Sequence, residues 1–225
     1  MLVRDPKAAI STSFAPYAGS SILLYWIGVP ADRLATSALY FLVLFIGFSW
    51  MAVAWHRHVL LTEAATPSLR VPASRVAAYL GVATLFTLIT ILPILIIILP
   101  VTIAFLADDG GPPSAAYLLA FYITIFFGMV VFGRLGAVLP GVALGPVGNL
   151  FFGWSATRGA TGAIAVATFV LMVPQFALGW LTSLFPVVPW AIGALDTVLQ
   201  WPLAMLGVSL LTSTYMHYLQ GRPLD

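Results

Sequence analysis

The chain has no cysteine and very little charge: nine Lys or Arg and seven Asp or Glu among 225 residues. The first absence excludes disulfides, thiolate nucleophiles, thiolate zinc sites and cysteine-ligated iron–sulfur clusters, and leaves the redox compartment unread. The second excludes a water-soluble globule, because a chain 61% hydrophobic and 7% charged has too little polar surface to meet water. Also missing are HExxH, a Walker loop, GxGxxG and GxSxG, and no pair of acids sits within an apolar stretch. An enzyme is therefore not expected, and neither a cofactor, a metal site nor a nucleic-acid partner has a motif to support it.

What remains is apolar sequence in long uninterrupted runs. Charge is absent from 8–31, 34–56, 76–107, 110–133, 135–157, 159–195 and 197–221. A helix needs about 20 apolar residues to cross a hydrocarbon core of about 30 Å, so the expectation is an all-α, polytopic transmembrane bundle filling 1–225 as a single domain. Six spans are expected, near 10–30, 34–55, 77–106, 115–132, 160–181 and 197–219. The first is the least apolar, holding Ser11, Thr12, Ser13, Pro16, Gly19, Ser20 and Ser21, and competes with a re-entrant or interfacial segment. The third contains Pro93 and Pro100 and is expected to tilt or kink. Residues 134–159 form a connector in which Gly136, Gly141, Gly145, Gly148, Gly153, Pro140 and Pro146 argue against a spanning helix. A surface or partly re-entrant path is expected there, with a short interfacial helix over 149–158. The N-terminal MLVRDPKAAISTSFAPYAGS carries an acid and a proline among its bases, so a cleaved signal peptide is not expected.

Lys and Arg in short loops mark the cytoplasmic side. With six spans, Arg4, Lys7, Arg57, Arg70, Arg75, Arg134, Arg158 and Arg222 share one side and Arg33 stands alone on the other. Both termini are thus expected in the cytoplasm of a bacterium, with the chain in its inner membrane and Asp108 and Asp109 facing the opposite compartment.

The polar residues supply the candidate sites. Arg134 and Arg158 bracket the connector and are candidates for anionic lipid headgroups, through bidentate contacts to phosphate; Arg57, Arg70 and Arg75 extend that basic belt. Snorkelling anchors are the plainer reading of all five. His56, His58 and His217 are candidate pH sensors. On a continuous helix, His56 and His58 point about 200° apart and cannot share a metal ion, although an extended segment with His217 could make a three-imidazole cluster; a basic interfacial anchor is the plainer reading. Asp196 is expected to cap the start of the last helix, and Gly141 with Gly145 to serve a turn rather than a small-residue helix contact.

Four patches occur in order: Trp55-His56-Arg57-His58-Val59-Leu60-Leu61-Thr62-Glu63, Arg134-Leu135-Gly136-Ala137-Val138-Leu139-Pro140, Trp154-Ser155-Ala156-Thr157-Arg158-Gly159 and Gly221-Arg222-Pro223-Leu224. Together they resemble a group of uncharacterised alphaproteobacterial polytopic inner-membrane proteins, distantly similar to the membrane domain of some glycerophosphodiester phosphodiesterases. The resemblance runs from Leu34 onward; it implies six helices and supplies no reaction, since the hydrolase domain is absent from this chain.

Three functions are open at this point. The first is a non-catalytic subunit or assembly factor of a larger membrane complex, meeting other membrane proteins through faces such as Phe126, Phe127, Phe151 and Phe152. The second is a lipid-binding or lipid-handling protein using the arginines. The third is a small-solute transporter or channel, for which Thr87, Thr90, Gln175 and Gln200 are the available polar lining.

Overall fold

The computed structural model of the chain describes residues 7, 9–11, 13, 17, 19, 34–61, 71–107, 115–184 and 189–223. The fold is all-helical, with no strand among the described residues. In chain order the elements are α1 (Leu34–Leu61), α2 (Ala73–Ala107), α3 (Ala115–Gly136), α4 (Leu139–Leu144), α5 (Phe152–Ala156), a 3-10 turn (Arg158–Ala160), α6 (Thr161–Leu184), α7 (Pro189–Thr214) and a π-helical turn (Tyr215–Leu219). Among the described residues, three segments are long and apolar enough to cross a membrane: Phe41–Leu61, Ala73–Pro100 and Tyr117–Gly136.

Side-chain contacts set the directions of the helices. Thr102 Oγ1 lies 3.3 Å from Tyr117 Oη, and a Cβ on Gly128 would meet Thr90 and Ile94, so α2 and α3 are antiparallel. Tyr122 meets Phe176, Phe126 meets Phe169, and Gly133 meets Ile164, which makes α3 and α6 antiparallel as well. The C-terminal half of α7 packs beside the C-terminal half of α1, with Met205 and Val208 in one core with Met51–Trp55. Lys7, Ala9–Ser11, Ser13, Tyr17 and Gly19 have helical backbone. Ala9 joins that same core, and Trp201 Nε1 on α7 donates to Ser13 Oγ at 3.0 Å. The remainder of the expected first span lies outside the described residues.

Burial is polarised along the bundle. At one end, Met51–His56, Val76, Tyr79, Ala83, Phe86, Leu135–Ala143, Met205 and Val208 are buried together. Toward the other end the helices carry large side chains outward: Phe41 on α1 is 68% exposed, Ile96 on α2 74%, Phe127 on α3 62% and Val166 on α6 65%. The change is sharpest on α2. Its exposed residues are Ala73, Ser74, Ala77, Ala78, Gly81 and Thr84, and then Leu85, Leu88, Ile91, Leu92, Pro93, Leu95, Ile96, Ile97, Leu99, Pro100 and Ile103. At 1.5 Å per residue, Leu85 to Ile103 covers about 27 Å, close to the hydrocarbon thickness of about 30 Å. We call the aliphatic zone the band and the enclosed end the cap.

The connector is part of the cap. Leu135 through Ala143 are buried, so its first third is core rather than surface. Proline and glycine break the long helix there, as expected, but the short α4 that follows, with Pro140 in its first turn, still turns Leu139 and Val142 inward. Gly141 is not a turn residue either: a Cβ there would stand 2.9 Å from the Tyr215 ring, so the small residue lets α4 approach the end of α7. α5 and the 3-10 turn occupy the stretch where an interfacial helix is expected.

The last helix also differs from expectation. It begins at Pro189, a residue suited to a helix's first position, and runs unbroken through Pro202. Asp196 is therefore past the first turn, and capping the helix start is not its role. α7 ends in the π-helical turn, where Gln220 N–H donates to Tyr215 O at 3.1 Å and Arg222 N–H to Met216 O at 3.0 Å. Gly221, at φ 67°, supplies the left-handed residue that this ending needs.

Candidate functional site

His56, on α1, is fully buried in the cap. Its Nδ1 lies 2.8 Å from Thr212 Oγ1 on α7, and its Nε2 lies 3.3 Å from Tyr79 Oη on α2. Thr212 Oγ1 also bonds to Val208 O at 2.9 Å, and a carbonyl can only accept. The single hydroxyl proton is spent there, so Thr212 accepts from His56 Nδ1–H. In the neutral ring Nε2 then accepts from the Tyr79 hydroxyl. Three helices are thus pinned by one imidazole whose polar atoms are both satisfied, with the Tyr79 ring centroid 5.7 Å away. This corrects the reading of His56 as an interfacial anchor: a residue next to two others of the same basic character is nonetheless core, because its face of α1 meets α2 and α7.

The other imidazoles go elsewhere. His58 is half-buried beside Trp55, at a ring separation of 5.7 Å. His217 Nδ1–H donates to Arg222 O at 3.0 Å and packs on Tyr218. The three-imidazole cluster does not form: among the described residues no group of three or more His, Asp or Glu is placed to hold a metal ion.

The arginines divide by level. Arg57 is half-buried in the cap, where its Nη1 reaches Ala143 O at 3.4 Å. Arg75 is half-buried in the first turn of α2. Arg134 stands near the level of Phe86, because α3 is antiparallel to α2 and Gly128 faces Thr90 and Ile94. Eleven residues of helix separate that level from Arg75, about 16 Å. The two do not share one belt. Arg70 lies outside the described residues.

Arg134 is held on several sides. Its Nη2 donates to Trp154 O at 2.7 Å and its Nε to Thr157 Oγ1 at 3.4 Å. Its guanidinium carbon sits 3.8 Å above the Trp154 ring. Such a stack is worth about 0.5–1 kcal/mol when exposed. Gly153 sets this geometry, since a Cβ there would come within 3.0 Å of Arg134 O and Leu135 O and 3.2 Å of Val138 N. A Cβ there would push α5 a few tenths of an ångström away from the end of α3. Thr157 Oγ1 is itself tied to Gly153 O at 2.8 Å. Arg158 follows directly, exposed, with its positive charge bearing on Arg134. Phe151, Phe152 and Trp154 flank the pair with 51%, 47% and 41% of their surfaces exposed.

The polar lining considered for a solute path is sparse. Thr90 is buried and donates back to Phe86 O at 2.8 Å. Thr87 and Gln200 are half-buried on α2 and α7, and the side chain of Gln175 lies outside the described residues.

Of the residues that build these two sites, Tyr79 and Thr212 are not singled out by the sequence, and Trp154 and Thr157 stand there only within a patch that carries a resemblance. Tyr79 is the only tyrosine of α2, and Trp154 stands one helical turn before Arg158, which are the available signals. The chain matches no protein-family model, no curated protein and no solved structure.

Proposed function

We propose that this chain is a six-span protein of a bacterial inner membrane, with both termini and the cap in the cytoplasm. It acts without chemistry of its own, as a structural subunit or stabilising factor of a larger membrane assembly. The observation that carries this reading is the polarity of the surface. The band turns large aliphatic side chains outward over a length matching the hydrocarbon core, while the cap encloses His56, Thr157 and Thr212. His56, fully buried, is consumed by bonds to α2 and α7, which makes its role one of holding helices together.

Two further features support six spans with the cap inside. α1, α2, α3 and α6 alternate in direction, α7 runs with α1, and the bond from Trp201 to Ser13 seats an additional helical segment against α7 at band level. Among the described residues, Arg57, Arg75, Arg134, Arg158 and Arg222 lie in the cap or at its edge, as Lys and Arg do on cytoplasmic faces.

Extraction at native expression level in a gentle amphiphile, followed by mass measurement of the intact particle, tests the subunit reading. A membrane-protein partner in fixed stoichiometry is the expected result. Recovery of a solitary chain carrying only lipid contradicts it.

A further inference from the structure

We propose that Arg134 and Arg158 form a binding site for a phosphate-bearing anion at the junction of band and cap. Arg134 presents a fixed guanidinium edge, and Arg158 a second, movable charge.

The geometry of Arg134 is that of a group positioned in advance. Of its five N–H donors, one at Nε is engaged by Thr157 and one at Nη2 by Trp154 O. The remaining three, both on Nη1 and the second on Nη2, have no partner among the described residues. The Trp154 ring covers one face of the guanidinium, and Gly153 locks that ring to the end of α3 through backbone contact. The side chain therefore has little rotational freedom left to lose when an anion binds. The outer edge that remains matches two oxygens of a phosphate.

Arg158 supplies what a single arginine lacks. It is exposed, its side chain bonds to none of the described residues, and its charge acts on Arg134. Two like charges held near each other repel, and an anion between them reverses the sign of that interaction. The surroundings fix the setting. Phe151, Phe152 and Trp154 stand exposed beside the pair, and the exposed aliphatic surface of α2 starts at Leu85, next to Phe86, whose ring is 6.3 Å from that of Phe151. Aromatic rings at the edge of an aliphatic zone are the usual surroundings of lipid headgroups. The chemistry recognised is a phosphate ester or phosphate ion, supplied either by an anionic lipid or by a soluble molecule. The lipid source rests on the bilayer placement proposed above, and not on assembly into a complex.

The test uses the full chain in detergent, supplied with phosphatidylglycerol and an excess of phosphatidylcholine, with bound lipid counted by native mass spectrometry. Inorganic phosphate binding is measured separately by calorimetry without added lipid, so a failure of the arginine pair is distinguishable from a failure of the bilayer placement. Arg158→Gln is the primary variant, because its side chain holds nothing in the fold. Arg134→Lys keeps the charge and removes the fork, and Arg75→Gln is the control at a distant level. One phosphatidylglycerol retained against phosphatidylcholine, and weakened about tenfold in both site variants but not in Arg75→Gln, is the expected result. Inorganic phosphate bound with the same arginine dependence, in place of the lipid, identifies a soluble source for the same site. Retention of both probes unchanged in Arg158→Gln, absence of binding to either, or an equal loss in Arg75→Gln overturns the proposal.

Discussion

At the scale of single residues, the cap separates polar groups that are used from polar groups that are merely enclosed. Tyr79→Phe leaves His56 Nε2 buried without a donor, and a loss of about 1–3 kcal/mol is expected, read from reversible unfolding in detergent. Ser49 Oγ is also buried but has no hydrogen-bond partner among the described residues. Ser49→Ala is therefore expected to leave stability unchanged or raise it by up to about 1 kcal/mol in the same assay. A Tyr79→Phe protein as stable as the parent would show that the clasp across α1, α2 and α7 holds nothing. None of this was legible in the sequence. His56 lies 23 positions from Tyr79 and 156 from Thr212. Spacing along one helix shows which side chains share a face, but not what that face meets.

At the scale of elements, glycine has opposite meanings in two places. Gly153→Ala brings a methyl group within 3.0–3.2 Å of the backbone of Arg134, Leu135 and Val138, which must shift to admit it, and about 1–3 kcal/mol of destabilisation is expected. Gly81 on α2 faces open space, and alanine there is expected to stabilise the helix by about 0.5–1 kcal/mol. Thermal melts of the two variants side by side check both signs, and equal effects would remove the argument that α5 is seated by close approach. The long helices were legible because charge-free runs record them, so α1, α2 and α3 begin near the expected positions. The connector was less so. Its glycines and prolines mark the break after α3, yet the same composition hides that Leu139 and Val142 turn into the core. The last helix is the parallel case: expected from 197, it begins at Pro189, a residue suited to a helix's first position.

At the scale of the whole molecule, the central claim is that a lipid-facing band ends where a water-facing cytoplasmic cap begins, near Leu85 on α2. Hydropathy along the sequence does not reveal that boundary, because α2 is apolar throughout; what changes is the size of the exposed side chains, from Ala77, Ala78 and Gly81 to Leu88, Leu92 and Ile96. Small residues tolerate water at little cost, whereas each exposed leucine or isoleucine returned from water to lipid recovers about 1.5–3 kcal/mol. The chain's lack of cysteine provides a clean background for testing this. The most direct measurement is the reaction of Ala77→Cys and Ile96→Cys proteins with a membrane-impermeant maleimide, in inverted vesicles and in intact spheroplasts. Ala77→Cys is expected to react in inverted vesicles and not in spheroplasts, and Ile96→Cys in neither. Reaction of Ile96→Cys in either preparation, or of Ala77→Cys from the outside, would contradict the account.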